Sequence, residues 1–222
     1  MSREPNAAAR DRLRPSPWRD LTEGIAYVWS TPQLLAALLL AFLVNMTAYP
    51  LSNGLLPYVA KEIYAIDQAG LGYLVASFAV GGLVGSLAVS MNGRVIRPAR
   101  TMIVSAVAWY TMLFVFAQMQ EPSGGMMMLM LAGLAQSVCM VTLFVVVLRI
   151  TSDKFRGRVM GVRMLVIYSL PLGLLAAGTL IDLIGFGATA TLYAVVGLLF
   201  TVAIAVRWHA VIWHVQTPAN AR

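Results

Sequence analysis

The sequence predicts an all-α integral membrane protein with six transmembrane helices, and three observations carry that expectation. Six apolar stretches occur at residues 34–57, 70–91, 101–119, 125–148, 160–181 and 188–206. Each is close to the ~20 residues a helix needs to cross a ~30 Å hydrocarbon core. The chain is 59% hydrophobic and 11% charged, well below the ~25% charged residues of an ordinary soluble domain. Finally, every Lys and Arg of the sixteen except Lys61 falls in the N-terminal tail, in the second or fourth inter-span segment (Arg163 just inside the span that follows it), or in the C-terminal tail. Basic residues mark the cytoplasmic side, so both termini are expected there. Runs of about ten residues with alternating polarity, the mark of a membrane β-barrel, do not occur.

The same features exclude several function classes. A net charge of +7 suggests nucleic acid, but the arginines sit at membrane edges, where orientation and anionic lipid account for them. The expected partner is the lipid bilayer, with no nucleic acid. Cys139 is the single cysteine, so there is no disulfide framework. The first 30 residues lack an apolar signal core, and insertion is expected to begin with the first span. His209 and His214 stand five apart beside Trp208 and Trp213, which suits interfacial residues better than a zinc pair or a triad. No Walker-type phosphate loop is present. No catalytic residue, metal or cofactor is therefore expected.

Along the chain, residues 1–15 read as a disordered cytoplasmic tail rich in Arg, Ala and Pro. Residues 16–31 read as an interfacial helix. Ser16 is the cap, Pro17 the first turn, and Trp18, Leu21, Ile25, Val28 and Trp29 repeat at helical spacing. Its polar face mixes Arg19, Asp20 and Glu23, which suits a docking or linker helix, and Thr31-Pro32 ends it. Residues 32–208 form the transmembrane domain and 209–222 a second cytoplasmic tail.

In the first span Asn45, Tyr49, Ser52 and Asn53 fall at i, i+4, i+7 and i+8, one helical face. Lipid would leave that face without hydrogen-bond partners, so it must meet other helices or water. Pro50 and Pro57 bend the helix. This stripe, with Gln136 of the fourth span and Tyr168 of the fifth, is the candidate substrate pathway; the plainer alternative is a hydrogen-bonded helix contact. The second span carries Gly81 and Gly85, a small-xxx-small spacing for close helix packing. The basic turn after it holds Arg94, Arg97 and Arg100. Met126, Met127, Met128 and Met130 of the fourth span fill apolar space. A second basic turn holds Arg156 and Arg158, and Arg163 either snorkels to the surface or faces an inner vestibule. Pro171, Gly173 and Gly178 supply packing and gating positions in the fifth span. No Asp or Glu lies deep in a span, so a proton carrier of the usual intramembrane carboxylate type would have to come from elsewhere. Asn45 and Gln136 stand at similar depths from opposite faces, which fits a 3+3 inverted repeat.

Several stretches resemble the major facilitator superfamily, in particular its bacterial exporters of siderophores and macrolides. Phe42 to Asn45, running to Pro50 and Pro57, is similar to the seventh helix of those proteins. Gly81 to Ser86 (GGLVGS), followed by Asn92 to Arg100 (NGRVIRPAR), resembles their glycine-rich helix and basic turn, without the acidic residue usual in that turn. The most specific run is Asp153 to Gly161 (DKFRGRVMG), continuing to Pro171–Gly173 and Gly178–Gly185, which is similar to helices ten to eleven. Even Trp18 to Trp29 resembles the linker helix before helix seven. The likeness covers residues 16 to about 208 and implies the second six-helix half of a twelve-helix fold, with no room in 222 residues for the first. It implies a secondary transporter of a bacterial inner membrane. Such a half would export a small amphipathic compound by alternating access with a second half, either another copy or a separate N-terminal half. The alternative is a truncated, non-transporting fragment or an accessory subunit that only binds helices. A channel is disfavoured because no filter-like loop is evident.

Overall fold

The computed structural model describes residues 17–92 and 97–209. The cap Ser16, the tail 1–15, Arg94 and the residues from 210 onward, with Trp213 and His214, lie outside the described residues. Those described are helices and short connections. Helix α1 is Pro17–Ser30, α2 is Pro32–Ile63 and α3 is Gln68–Asn92. Then come α4, Pro98–Phe116, α5, Pro122–Ile150, α6, Arg156–Ile167, and α7, Ser169–Arg207. Proline opens α1, α2, α4 and α5, where its missing N–H is one of the helix's unpaired donors anyway and its fixed φ is already helical.

Helix α7 holds two crossings. At 39 residues it would run about 58 Å if straight, nearly twice the ~30 Å core. Inside it Gly185 takes φ 79°, ψ 165°, a conformation open to glycine because it has no Cβ. The Tyr193 hydroxyl donates to the Gly173 carbonyl at 2.7 Å, although twenty residues of straight helix would separate them by ~30 Å. The chain therefore doubles back at Gly185. The fifth span is residues 156–184, interrupted at Tyr168, and the sixth is 186–207. With α2, α3, α4 and α5 this makes the six crossings that the apolar stretches predict.

Helix α2 is regularly α-helical to Leu43; π-helical turns follow at Val44–Ala48, Pro50–Gly54 and Val59–Ile63, with a short α-helical turn at Leu56–Tyr58. The cause is local. Pro50 and Pro57 offer no N–H, and their rings crowd the carbonyls of Met46 and Asn53 four residues back. The wider turn moves the bonds to an i−5 partner, as in Leu55 N–H to the Pro50 carbonyl at 2.8 Å. Widening the turn also rotates every later side chain away from its 3.6-residue position. The stripe expected on one face is therefore divided: Ser52 is sealed inside while its neighbour Asn53 is exposed.

Glycine sets how closely the other helices approach. A Cβ on Gly81 would strike the Met130 carbonyl, one on Gly133 the Phe78 carbonyl, and one on Gly85 would lie 2.5 Å from the Leu134 carbonyl oxygen. Backbones of α3 and α5 thus touch along this seam, where dispersion contacts replace the absent hydrophobic drive between helices in lipid. Gly173 meets the Met46 carbonyl of α2 in the same way. Gly133 was not singled out from the sequence, although Ser137 stands four positions on and makes the same small-xxx-small spacing. Gly178 has open space around it, and Pro171 is exposed.

At the arginine-rich end, Arg158 ties α1 to the start of α6. Its Nε donates to Asp20 Oδ1 at 2.7 Å and its Nη1 to Glu23 Oε2 at 2.9 Å. Tyr27 stacks on Phe155 with ring centroids 4.4 Å apart, and the Arg158 guanidinium lies over the same Phe155 ring. The apolar stripe of α1 divides accordingly: Leu21 and Val28 pack on the core, while Trp18, Ile25 and Trp29 stay exposed. Arg156 pairs with Asp153 at 2.9 Å, on the exposed side of the turn. Arg97 caps α4, and Arg100 is half-buried in its first turn.

Gly81→Leu should prevent native packing of α3 on α5, because the clash is with backbone that cannot rotate away. Gly178→Leu, facing open space, should leave the melting temperature in mild detergent within a few degrees of the parent. A comparable loss in both would show that the α3–α5 seam is not what limits stability.

Candidate functional site

Where α2, α4 and α5 meet, the span interior holds a connected polar cluster. Gln136 Nε2 donates to the Tyr49 hydroxyl at 2.7 Å, joining two residues 87 apart in sequence. The Tyr49 ring stands edge-on to Trp109, centroids 5.2 Å apart. Trp109 Nε1–H donates to Ser52 Oγ at 3.2 Å, and Ser52 donates in turn to the Ala48 carbonyl at 2.8 Å. Beside these, Thr47 and the Tyr110 hydroxyl share a 2.7 Å bond. Asn45 Nδ2 donates to the Ala41 carbonyl at 2.8 Å. Each bond answers the same requirement: a polar group desolvated in hydrocarbon costs several kcal/mol unless it finds a partner.

The sequence-derived pathway residues sort into three groups. Asn45 and Ser52 are buried and bonded within the bundle; Tyr49 and Gln136 are half-buried and paired; Asn53 and Tyr168 are exposed. Spacing alone could not find Trp109, Tyr110 and Thr47. The available signal was the Trp109-Tyr110 pair itself, two aromatics with polar tips in the middle of an apolar helix, since such tips seek a partner when buried. Arg163 is half-buried, its guanidinium 5.0 Å from the centre of the Phe144 ring on α5. A cation on an aromatic face is partly compensated for leaving water.

The carboxylates stay clear of the middle of the spans. Asp20 and Glu23 lie on α1, and Glu62, Asp67, Glu121, Asp153 and Asp182 lie in connections or near the ends of spanning segments; none joins the cluster. Among the described residues no group of His, Cys, Asp and Glu could hold a metal ion. Just past α2, the Tyr64 ring is packed against Gly125 with its hydroxyl unpaired. Burial pushes this phenol up to about 12, so it stays neutral throughout the physiological range.

A second feature is an apolar groove of about 860 Å³ between α2 and both limbs of α7. Leu39, Phe42, Met46, Leu180, Val196 and Phe200 wall it, and Arg207 with Trp208 closes its arginine-rich end. Its two hydroxyl-bearing residues are already engaged, Thr47 with Tyr110 and Tyr193 with the Gly173 carbonyl.

Six apolar crossings with a hydrogen-bonded polar cluster between helices define a polytopic membrane protein. The chain belongs to the Major Facilitator Superfamily, whose family model matches residues 3–219. It is similar to the multidrug efflux pump Tap of Mycolicibacterium fortuitum, with 26% identity over 171 residues, which cover 76% of this chain and 41% of that protein. The match thus spans about two fifths of that relative's length.

Tyr49→Phe and Gln136→Leu should be coupled. Each alone strands one buried polar partner, whereas the double variant strands neither, so unfolding in detergent should show a coupling of about 0.5–1.5 kcal/mol. Strictly additive effects would mean that the 2.7 Å bond contributes nothing to the fold.

Proposed function

We propose that the six spans work as one half of a secondary transporter that exports a small amphipathic compound by alternating access. The second half is another copy of the chain or a separate N-terminal half. The membrane is a bacterial inner membrane, with both ends of the chain in the cytoplasm. The observation that carries this reading is that Asn53 and Tyr168 reach the surface from within spanning helices, with no side-chain hydrogen bond among the described residues. Lipid cannot satisfy them; a water-filled path or a facing half can. Family membership and the likeness to an efflux pump support export. Tyr49 and Gln136, half-buried beside that face, are positioned to exchange their mutual bond for one to a substrate. With no carboxylate in the cluster, a proton-coupled cycle would draw its proton carrier from the second half.

One observation favours a second reading, that of an accessory subunit which only binds helices. Asn45, Ser52 and Gln136 already have partners inside the bundle, which is what a purely structural network requires.

Topology is checked by single cysteines at exposed positions. Cys139 is fully buried and gives a quiet background. Lys61→Cys should react with an impermeant maleimide from outside, and Arg97→Cys only after the cytoplasmic face is opened; the opposite pattern would invert the assignment.

Transport is checked by reconstituting the full chain in liposomes, cross-linking it and assaying uptake of amphipathic dyes. A transporting dimer, or transport that appears only with an added N-terminal half, is the expected result. Asn53→Leu and Gln136→Leu should then each lower the rate about tenfold at unchanged membrane level, the ~1.4 kcal/mol scale of one hydrogen bond. Transport by a monomer would overturn the half-transporter reading, and an inert monomer would favour the accessory one.

A further inference from the structure

The groove between α2 and α7 is set apart from the polar cluster by what it lacks. Thr47 and Tyr193 have spent their hydroxyls on Tyr110 and on the Gly173 carbonyl, so its walls offer no group to orient a polar molecule. Charge enters at one end, at Arg207. That side chain is exposed, lies over the Trp208 ring at 5.6 Å, and has no carboxylate partner among the described residues. A ligand matched to this site has a long apolar body that needs no orientation and one anionic group at the membrane interface. Dimensions agree. From Leu192 to Arg207 the second limb of α7 rises about 22 Å at 1.5 Å per residue, deeper than one leaflet's share of a ~30 Å core. A volume of about 860 Å³ falls in the range of ligand sites, ~300–1,000 Å³. Trp208 stands where interfacial tryptophans meet headgroups.

We propose that this groove is a resident lipid site: it holds an acyl chain of an anionic phospholipid, with the phosphate on Arg207. The bound chain fills the space between α2 and the two limbs of α7, and so props the doubled-back fifth and sixth spans against the first. The site is separate from the Tyr49–Gln136 cluster and does not depend on the chain transporting anything.

The test uses the full chain in mild detergent, with native mass spectrometry against phosphatidylglycerol and phosphatidylcholine of matched acyl chains. The parent should retain one phosphatidylglycerol about five-fold more strongly, the effect of one basic group near a membrane surface. Arg207→Gln should erase that preference while leaving retention of both lipids. Val196→Phe and Ala203→Trp each fill the groove from a different height and should reduce retention of both lipids. Variants are compared only where elution is monodisperse and melting is parent-like, and the two fillings keep the test alive if one misfolds. Equal retention of the two lipids by the parent, an unchanged preference in Arg207→Gln, or retention indifferent to both fillings would overturn the proposal. So would binding of glycerophosphoglycerol, which carries the phosphate without chains and would mark a simple anion site. An amphipathic dye that displaces the lipid and stays bound in the groove would instead assign the groove to a transported compound.

Discussion

Hydrocarbon offers no hydrogen bonds, and the architecture follows from that constraint. Every backbone N–H and C=O in a span must be paired within the protein, yet α2 carries two prolines that each delete a donor and displace an acceptor. The helix resolves the conflict by widening into π turns instead of opening its carbonyls to lipid. The same rule governs side chains. Thr47, Ser52, Ser105, Thr142, Thr189 and Thr201 all donate back to the carbonyl four residues earlier, so a polar residue can occupy a spanning helix without an external partner. Where a side chain is too long for that, it pairs across helices, as Gln136 does with Tyr49 and Trp109 with Ser52.

With polar groups satisfied, close packing supplies cohesion. Helix α5 is the mast: α3 presses on it through Gly81, Gly85 and Gly133 until backbones touch, and α4 packs along it with Trp109, Tyr110 and Leu113 fully enclosed. On the other side, Gly173 lets the fifth span approach α2, and Gly197 admits the Tyr110 ring to the sixth. Burial follows this plan. In α2, 72% of the most apolar window is buried, against 17% in α3, so α2 lies within the bundle and α3 at its margin. A margin this bare is covered by lipid or by a second half.

The arginine-rich end obeys different physics because water is near. Arg158 is largely enclosed, yet it reaches two carboxylates on α1 and lies over Phe155, so its charge is compensated where it is partly desolvated. This holds the amphipathic helix α1 in place while Trp18 and Trp29 stay exposed. The link joins α1 directly to the start of the fifth span, so movement of one will be felt by the other.

Much of this was legible in one dimension. Six apolar lengths, the arginine asymmetry and the Gly81–Gly85 spacing each report a local requirement, namely membrane thickness, charge at a membrane edge or backbone approach, and a local requirement is written in consecutive residues. The Tyr49–Gln136 pair could be nominated, because uncompensated polar residues in apolar runs advertise themselves, but their meeting could not. Three things belonged to the tertiary structure. The π turns of α2 changed the helical period, so Ser52 turned inward to Trp109 and Asn53 outward, a division hidden from any argument that assumes 3.6 residues per turn. Gly133 and Tyr110 acquired their roles from Phe78 and Thr47, partners more than fifty residues distant in sequence. The groove lies between α2 and the two limbs of α7, and no single segment encodes the space between three helices. Sequence by itself determined which residues enter the membrane and how often, because that depends on each segment's own transfer from water to lipid. Only the tertiary structure decided which faces meet, because that depends on the geometry of segments that never adjoin along the chain.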